Sequence, residues 1–158
     1  MKKTASKKDN KNSSFEEVLK KAENFCAYQE RCTDDVYSKL KALKLDEKDK
    51  SKIIKHLLEN NFINDERYAL SFARGKFRIK KWGKLKIKAA LKAKKISLQL
   101  IEKALCSIDE KEYRQTIQLM VQQQKKKNFP PSSEFIYKLK RHLYAKGFEV
   151  DDITGLDD

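Results

Sequence analysis

Three stretches of this chain carry the same apolar spacing at a near-constant interval, and that repetition limits its possible folds more than any other feature. Val36 and Leu40 lead to Ala42 and Leu45; Ile87 and Leu91 lead to Ala93 and Ile96; Leu139 and Leu143 lead to Ala145 and Phe148. Each stretch has two apolar residues four apart, an alanine two beyond the second, and another apolar residue five beyond it. Leu40, Leu91 and Leu143 stand 51 and 52 residues apart. A second echo keeps the same order: Asp65 and Glu66 precede Tyr68, and Asp109 and Glu110 precede Tyr113. Apolar residues four apart mark one face of a helix. A fixed period of this length has room for three short helices, and units that small must stack to bury enough apolar surface.

The predicted fold is therefore all-α: an elongated tandem array of three three-helix, helix-turn-helix-like repeats, the last one incomplete. Residues 1–13 hold five lysines and, past Met1, no large apolar side chain, so they are predicted to be a disordered basic tail. The repeats are predicted to span 14–63, 64–108 and 109–153, with an acidic tail at 154–158. Helix starts are expected at Ser14 (with Glu17 completing a capping box), at Thr33 or Asp34, and at Asp46, Asp65, Ser97, Asp109 and Ser132 or Ser133. Asn60 and Asn61 end one helix, Gly83 breaks another, Pro130 and Pro131 separate two, and Gly147 stops the last long one.

The chain carries 37 Lys and Arg against 23 Asp and Glu, a net charge of +14, which points to a polyanionic partner. Between Arg74 and Ile101 there is no acidic residue. Arg74, Lys76, Arg78, Lys80, Lys81, Lys84, Lys88, Lys92 and Lys95 are the candidate contacts for nucleic acid or a protein partner. Lys84, Lys88, Lys92 and Lys95 are expected on one face, beside the Ile87 and Leu91 stripe. Nothing inside the segment offsets their repulsion, as glutamates four residues away would on an ordinary solvated face. Lysine binds phosphate as a point charge, so the expected recognition is weakly sequence-specific. Trp82 is expected to pack at a bend between two helices.

Signatures of catalysis are missing: no Gly-rich phosphate loop, no H-E-x-x-H and no G-x-S-x-G. His56 and His142 read as surface or interface residues. Cys26, Cys32 and Cys106 lack metal-ligand spacing and read as free thiols. No cofactor, metal or small-molecule substrate is expected. No apolar run reaches the length of a membrane span, and no apolar stretch follows the basic N-terminus, so a cytoplasmic location is expected.

One block is more specific. Asn64, Asp65, Glu66, Arg67, Tyr68 and Ala69 lead into Phe72, Ala73, Arg74, Gly75 and Lys76. Arg78, Trp82, Gly83, Lys86, Ile87, Leu91, Lys95 and Ile96 follow. This stretch resembles the RecX family of recombination regulators, most closely over 62–96, and the three-unit plan extends the likeness over about 14–153. The second unit departs from the family pattern at Lys94-Lys95-Ile96, where many members carry Lys-Gly; the third keeps Lys146-Gly147-Phe148. An acidic residue common in the middle helix is replaced by Ala89 or Ala90.

The resemblance implies tandem three-helix modules without catalytic groups. It implies binding to the RecA recombinase filament on single-stranded DNA, limiting its growth or activity and so affecting DNA repair, recombination and the SOS response. Some members of the family also bind DNA directly, so single-stranded and double-stranded DNA are further partners that the resemblance implies. A monomer is expected. In the matching block, Asp65, Glu66, Arg67, Tyr68 and Trp82 read as structural residues that fix the junction between modules. The competing reading is a stand-alone, non-specific DNA-binding protein.

Overall fold

The computed structural model describes residues 14–43, 45–127 and 132–154, so the basic tail, Pro130, Pro131 and most of the acidic tail lie outside the described residues. Every regular element among the described residues is a helix. The first unit comprises α1 (Phe15–Tyr28), α2 (Thr33–Lys41) and α3 (Glu47–Glu59). The second comprises α4 (Asp65–Lys80), α5 (Lys84–Ala93) and α6 (Leu98–Cys106), and the third α7 (Glu110–Lys127), α8 (Ser133–Lys146) and the four-residue α9 (Val150–Ile153).

Side-chain caps start most of these helices. Ser14, Asp46, Asn64, Ser97 and Ser132 each accept a hydrogen bond from the backbone N–H three residues on, and Asp109 Oδ1 accepts from Glu112 N at 2.7 Å. Two expected caps fall on earlier residues, although the helices begin at Thr33 and Asp65. Cys32, not Thr33 or Asp34, holds the N-cap position of α2, and Asn64, not Asp65, caps α4. The reason for the second shift is tertiary. Asp65 Oδ1 accepts from Thr33 N at 2.8 Å, so its carboxylate serves the start of α2 in the neighbouring unit. Asn61, Lys81, Lys95 and Gly147 turn the chain out of α3, α4, α5 and α8 with positive φ.

The tightest helix pairings fall within units: α1, α2 and α3 on one another, α4, α5 and α6 likewise, and α9 on α8. The repeat extends beyond the stretches legible in sequence. Val18, Ala22 and Cys26 of α1 stand 51 residues from Ala69, Ala73 and Phe77 of α4, and all six are buried.

Two cores result. Val18, Ala22, Leu40, Ile53, Leu57 and Ile63 close the first unit. A second cluster runs without interruption from Tyr68 through Phe77, Ile87 and Tyr113 to Phe148 and Ile153, joining the second and third units. Tyr113 sits at its centre, 5.6 Å from the Phe77 ring and 5.4 Å from the Phe148 ring. The third unit shares its neighbour's core, to which α9 contributes Ile153. Cys32 is the first unit's contribution to the shared core.

The middle helices α2, α5 and α8 meet head to tail. At the second junction Gly83 N donates to Lys146 O at 2.8 Å and Leu85 N to Gly147 O at 3.0 Å, joining the start of α5 to the end of α8. At the first junction, Lys94 and Lys95 from the end of α5 pair with Asp35 and Asp34 in the first turn of α2. At the second junction backbone donors at one helix start meet carbonyl acceptors at another helix end; at the first, carboxylates at a helix start accept from cations at a helix end.

Candidate interaction surface

The acid-free segment folds into the second half of α4, the turn at Lys81 to Gly83, and α5. Its charges do not stand unopposed, because packing brings in carboxylates remote in sequence. Arg78 Nε and Nη2 each lie 3.3 Å from Glu112 of α7. Lys84 Nζ is 2.8 Å from Glu110 and lies over the Tyr113 ring at 4.5 Å. Lys88 Nζ is 2.6 Å from Glu102 of α6. Lys94 and Lys95 reach Asp35 and Asp34 at 2.5 and 2.6 Å. The expected single lysine face on α5 is therefore divided. Lys84 and Lys88 line a depression toward α6 with Glu102 and Glu149, whereas Lys95, beyond the helix end, turns to the first unit. Sequence spacing alone does not reveal this, since each partner sits in another helix.

The remaining candidate cations have a different setting. Arg74, Lys80, Lys81 and Lys92 are exposed and have no carboxylate partner among the described residues. Lys76 holds its ammonium 5.2 Å from the Phe72 ring centre and 5.1 Å from that of Trp82. Lys86 lies 4.9 Å from the Trp82 ring centre and donates to Ala145 O, while Lys146 donates to Lys80 O. Half-buried Trp82 packs on the shared core, edge-on to Phe72. Around this bend Lys76, Lys80, Lys81, Lys86 and Lys146 gather with ring faces and carbonyl oxygens as their only partners among the described residues.

The motif residues knit the first two units together. Besides Asp65, Arg67 donates from Nε to Glu30 at 2.7 Å and from its guanidinium nitrogens to the Asn61 side chain and carbonyl. Glu66 instead pairs within its own unit, with Lys103 of α6. Tyr68 is buried, and burial with the nearby Asp35 charge pushes its phenol up to about 12. Burial raises the Asp35 carboxyl, but the Lys94 ammonium and the Cys32 N–H outweigh it and leave the group below its ordinary range. Burial also drives the Cys32 thiol up to about 11. Sequence reasoning read Asp34 and Glu110 only as helix-start residues and missed the ion pairs they and the neighbouring Asp35 and Glu112 make.

No described helix is long and apolar enough to cross a membrane. The described residues contain no group of three or more metal-ligating side chains.

Fold and surface together define a helical tandem-repeat protein of three-helix units with an uneven, partly unneutralised cationic surface. Residues 64–105 match the family model described as RecX, second three-helix domain. The regulatory protein RecX of Clostridium botulinum (strain Eklund 17B / Type B) is 33% identical over 125 residues, covering 77% of this chain and 58% of that protein. That of Halalkalibacterium halodurans is 28% identical over 139 residues, covering 85% of this chain and 52% of that protein. The crystal structure of RecX from Lactobacillus salivarius superposes with a TM-score of 0.82 at 28% identity, covering 90% of this chain and 93% of that one. The chain belongs to the RecX family of regulatory proteins. It spans little more than half the length of the Clostridium botulinum relative.

Proposed function

We propose that this chain binds the filament that the RecA recombinase forms on single-stranded DNA and limits its growth or activity, thereby modulating repair, recombination and the SOS response. It acts in the cytoplasm, as a monomer, by binding rather than by catalysis, and uses no cofactor or small-molecule substrate. The observation that carries this reading is the group of unneutralised cations at the α4–α5 bend on a RecX scaffold. Arg74, Lys76, Lys80 and Lys81, and Lys92 in the last turn of α5, are available to a negatively charged partner, whereas Arg78, Lys84, Lys88 and Lys95 have carboxylates of their own to exchange first. Point charges of this kind speed encounter with a polyanionic assembly and confer little sequence preference.

The test is the ATPase rate of purified recombinase on single-stranded DNA as the protein is added. Inhibition at substoichiometric amounts supports the reading; an unchanged rate at saturating amounts rejects it. The same cations suit a stand-alone DNA-binding protein. Strongly salt-dependent affinity for bare DNA, with no effect on the recombinase, would favour that reading instead.

A further inference from the structure

Gly75 stands in the middle of the 16-residue α4, where glycine costs about 1 kcal/mol relative to alanine. No neighbour among the described residues requires it. A Cβ built there would meet no atom within 4 Å. Its missing side chain instead deepens a groove of about 320 Å³ on the outer face of α4, lined by Tyr68, Phe72, Gly75, Lys76, Ile79 and Lys80 among others. Ile79, at one end, is 77% exposed on a helix whose other exposed positions are polar. Lys76 and Lys80, at the same end, lack a carboxylate partner among the described residues. At the other end Glu30 Oε1 is engaged by Arg67, and its Oε2 is buried without a hydrogen-bond partner among the described residues.

The groove suits polypeptide better than nucleic acid. Base recognition on single strands uses free aromatic faces. Here the Phe72 ring is stacked by Tyr68 at 5.8 Å, met edge-on by Trp82 at 6.5 Å and covered by the Lys76 ammonium. Tyr68 itself is buried. An exposed isoleucine over an open glycine gains nothing from a phosphate chain, but would be buried by an apolar side chain. We infer that the Gly75 groove is a protein-docking site for a segment that seats one large apolar side chain between Phe72 and Ile79 and turns flanking carboxylates to Lys76 and Lys80. This rests on the function proposed above, in which the segment belongs to a recombinase protomer.

The experiment compares wild type, Gly75→Gln and Ile79→Asp, full-length, for affinity to fluorescent recombinase filaments on a single-stranded oligonucleotide, to the bare oligonucleotide, and for melting temperature. Gly75→Gln is expected to raise the melting temperature by roughly 2–4 °C while weakening filament binding by about tenfold or more. Ile79→Asp is expected to weaken filament binding similarly with unchanged stability, and both should bind the bare oligonucleotide as wild type does. If wild type binds the filament and both variants bind equally well, the groove is not used and the filament reading survives alone. A parallel loss on the bare oligonucleotide would assign the groove to nucleic acid and overturn the inference. If wild type does not bind the filament, the proposed function fails and this inference falls with it.

Discussion

Gly83 and Gly147 lie backbone against backbone: a Cβ on Gly83 would stand 2.2 Å from the Gly147 oxygen, and one on Gly147 would stand 2.3 Å from Lys86 Cβ. Gly147 also needs the left-handed conformation, with φ at +88°. The equivalent positions at the first junction, 51 and 52 residues earlier, are Cys32 and Lys95. There the backbones carry side chains, and Lys94 and Lys95 span to Asp35 and Asp34 instead. One architecture thus has two kinds of joint: a dry joint inside a shared core, and an ionic joint between two cores.

Gly83→Ala is expected to force the dry joint apart. A methyl group at that distance from a backbone carbonyl displaces α8 from α5 and breaks the Gly83 to Lys146 hydrogen bond. The expected loss is roughly 3 kcal/mol or more, within the range of overpacked and strained sites. Chemical denaturation checks it; a loss under about 0.5 kcal/mol would mean the joint relaxes freely.

At the ionic joint the two lysines are expected to differ. Lys94→Ala strands the Asp35 carboxylate, only 13% exposed, and should cost about 1–2 kcal/mol. Lys95→Gly removes an ion pair that solvent largely screens. It also relieves a positive φ of 57° that costs a lysine about 1 kcal/mol, so stability should hold or rise slightly. Equal losses for both variants would contradict the assignment.

Acid should act on the same joint. The folded-state pKa of Asp35 lies below its ordinary 3.8. Its contribution is therefore complete above that pH and is lost as pH falls through the folded value. Lys94, raised above 10.5, sets the opposite edge, lost as pH rises through its own folded value. Wild type should exceed Asp35→Asn by about 1–2 kcal/mol at neutral pH. The gap should close well below pH 3.8; a gap independent of pH would show that the carboxylate is not charged in this role.

Thiol chemistry reports on the cores separately. Cys26 and Cys32 are buried and Cys106 is exposed. Burial raises the first two thiols, Cys32 to about 11, which suppresses their thiolate forms. A disulfide reagent at pH 8 should label Cys106 quickly and the other two only on unfolding. Rapid labelling of all three under native conditions would mean that the cores open far more readily than their packing implies.

Much of the architecture was legible because helical repeats write their period into buried positions: Leu40, Leu91 and Leu143 are all buried where the spacing placed them. The caps at Ser14, Asp46 and Ser97 were legible for the same local reason. Asp65 was not, because its preferred donor, Thr33 N, is 32 residues away in sequence. The lysines of α5 misled for a related reason. Their spacing within the segment was correct, but Glu102, Glu110 and Asp34, which neutralise them, arrive only through packing between helices. Gly75 gave no signal either, since a helical glycine in sequence does not reveal whether its open side faces the core or solvent.

On the proposed function, unpaired cations at the α4–α5 bend bind the partner while paired ones hold the fold. The direct measurement is filament affinity beside melting temperature for Arg74→Glu/Lys80→Glu/Lys81→Glu and for Lys84→Glu/Lys88→Glu. The triple variant should lose binding by about tenfold or more at moderate salt and melt as wild type does. The double variant, which sets glutamate against Glu110 and Glu102, should lose stability first. Wild-type affinity in the triple variant, with binding abolished in a fully stable double variant, would contradict the account.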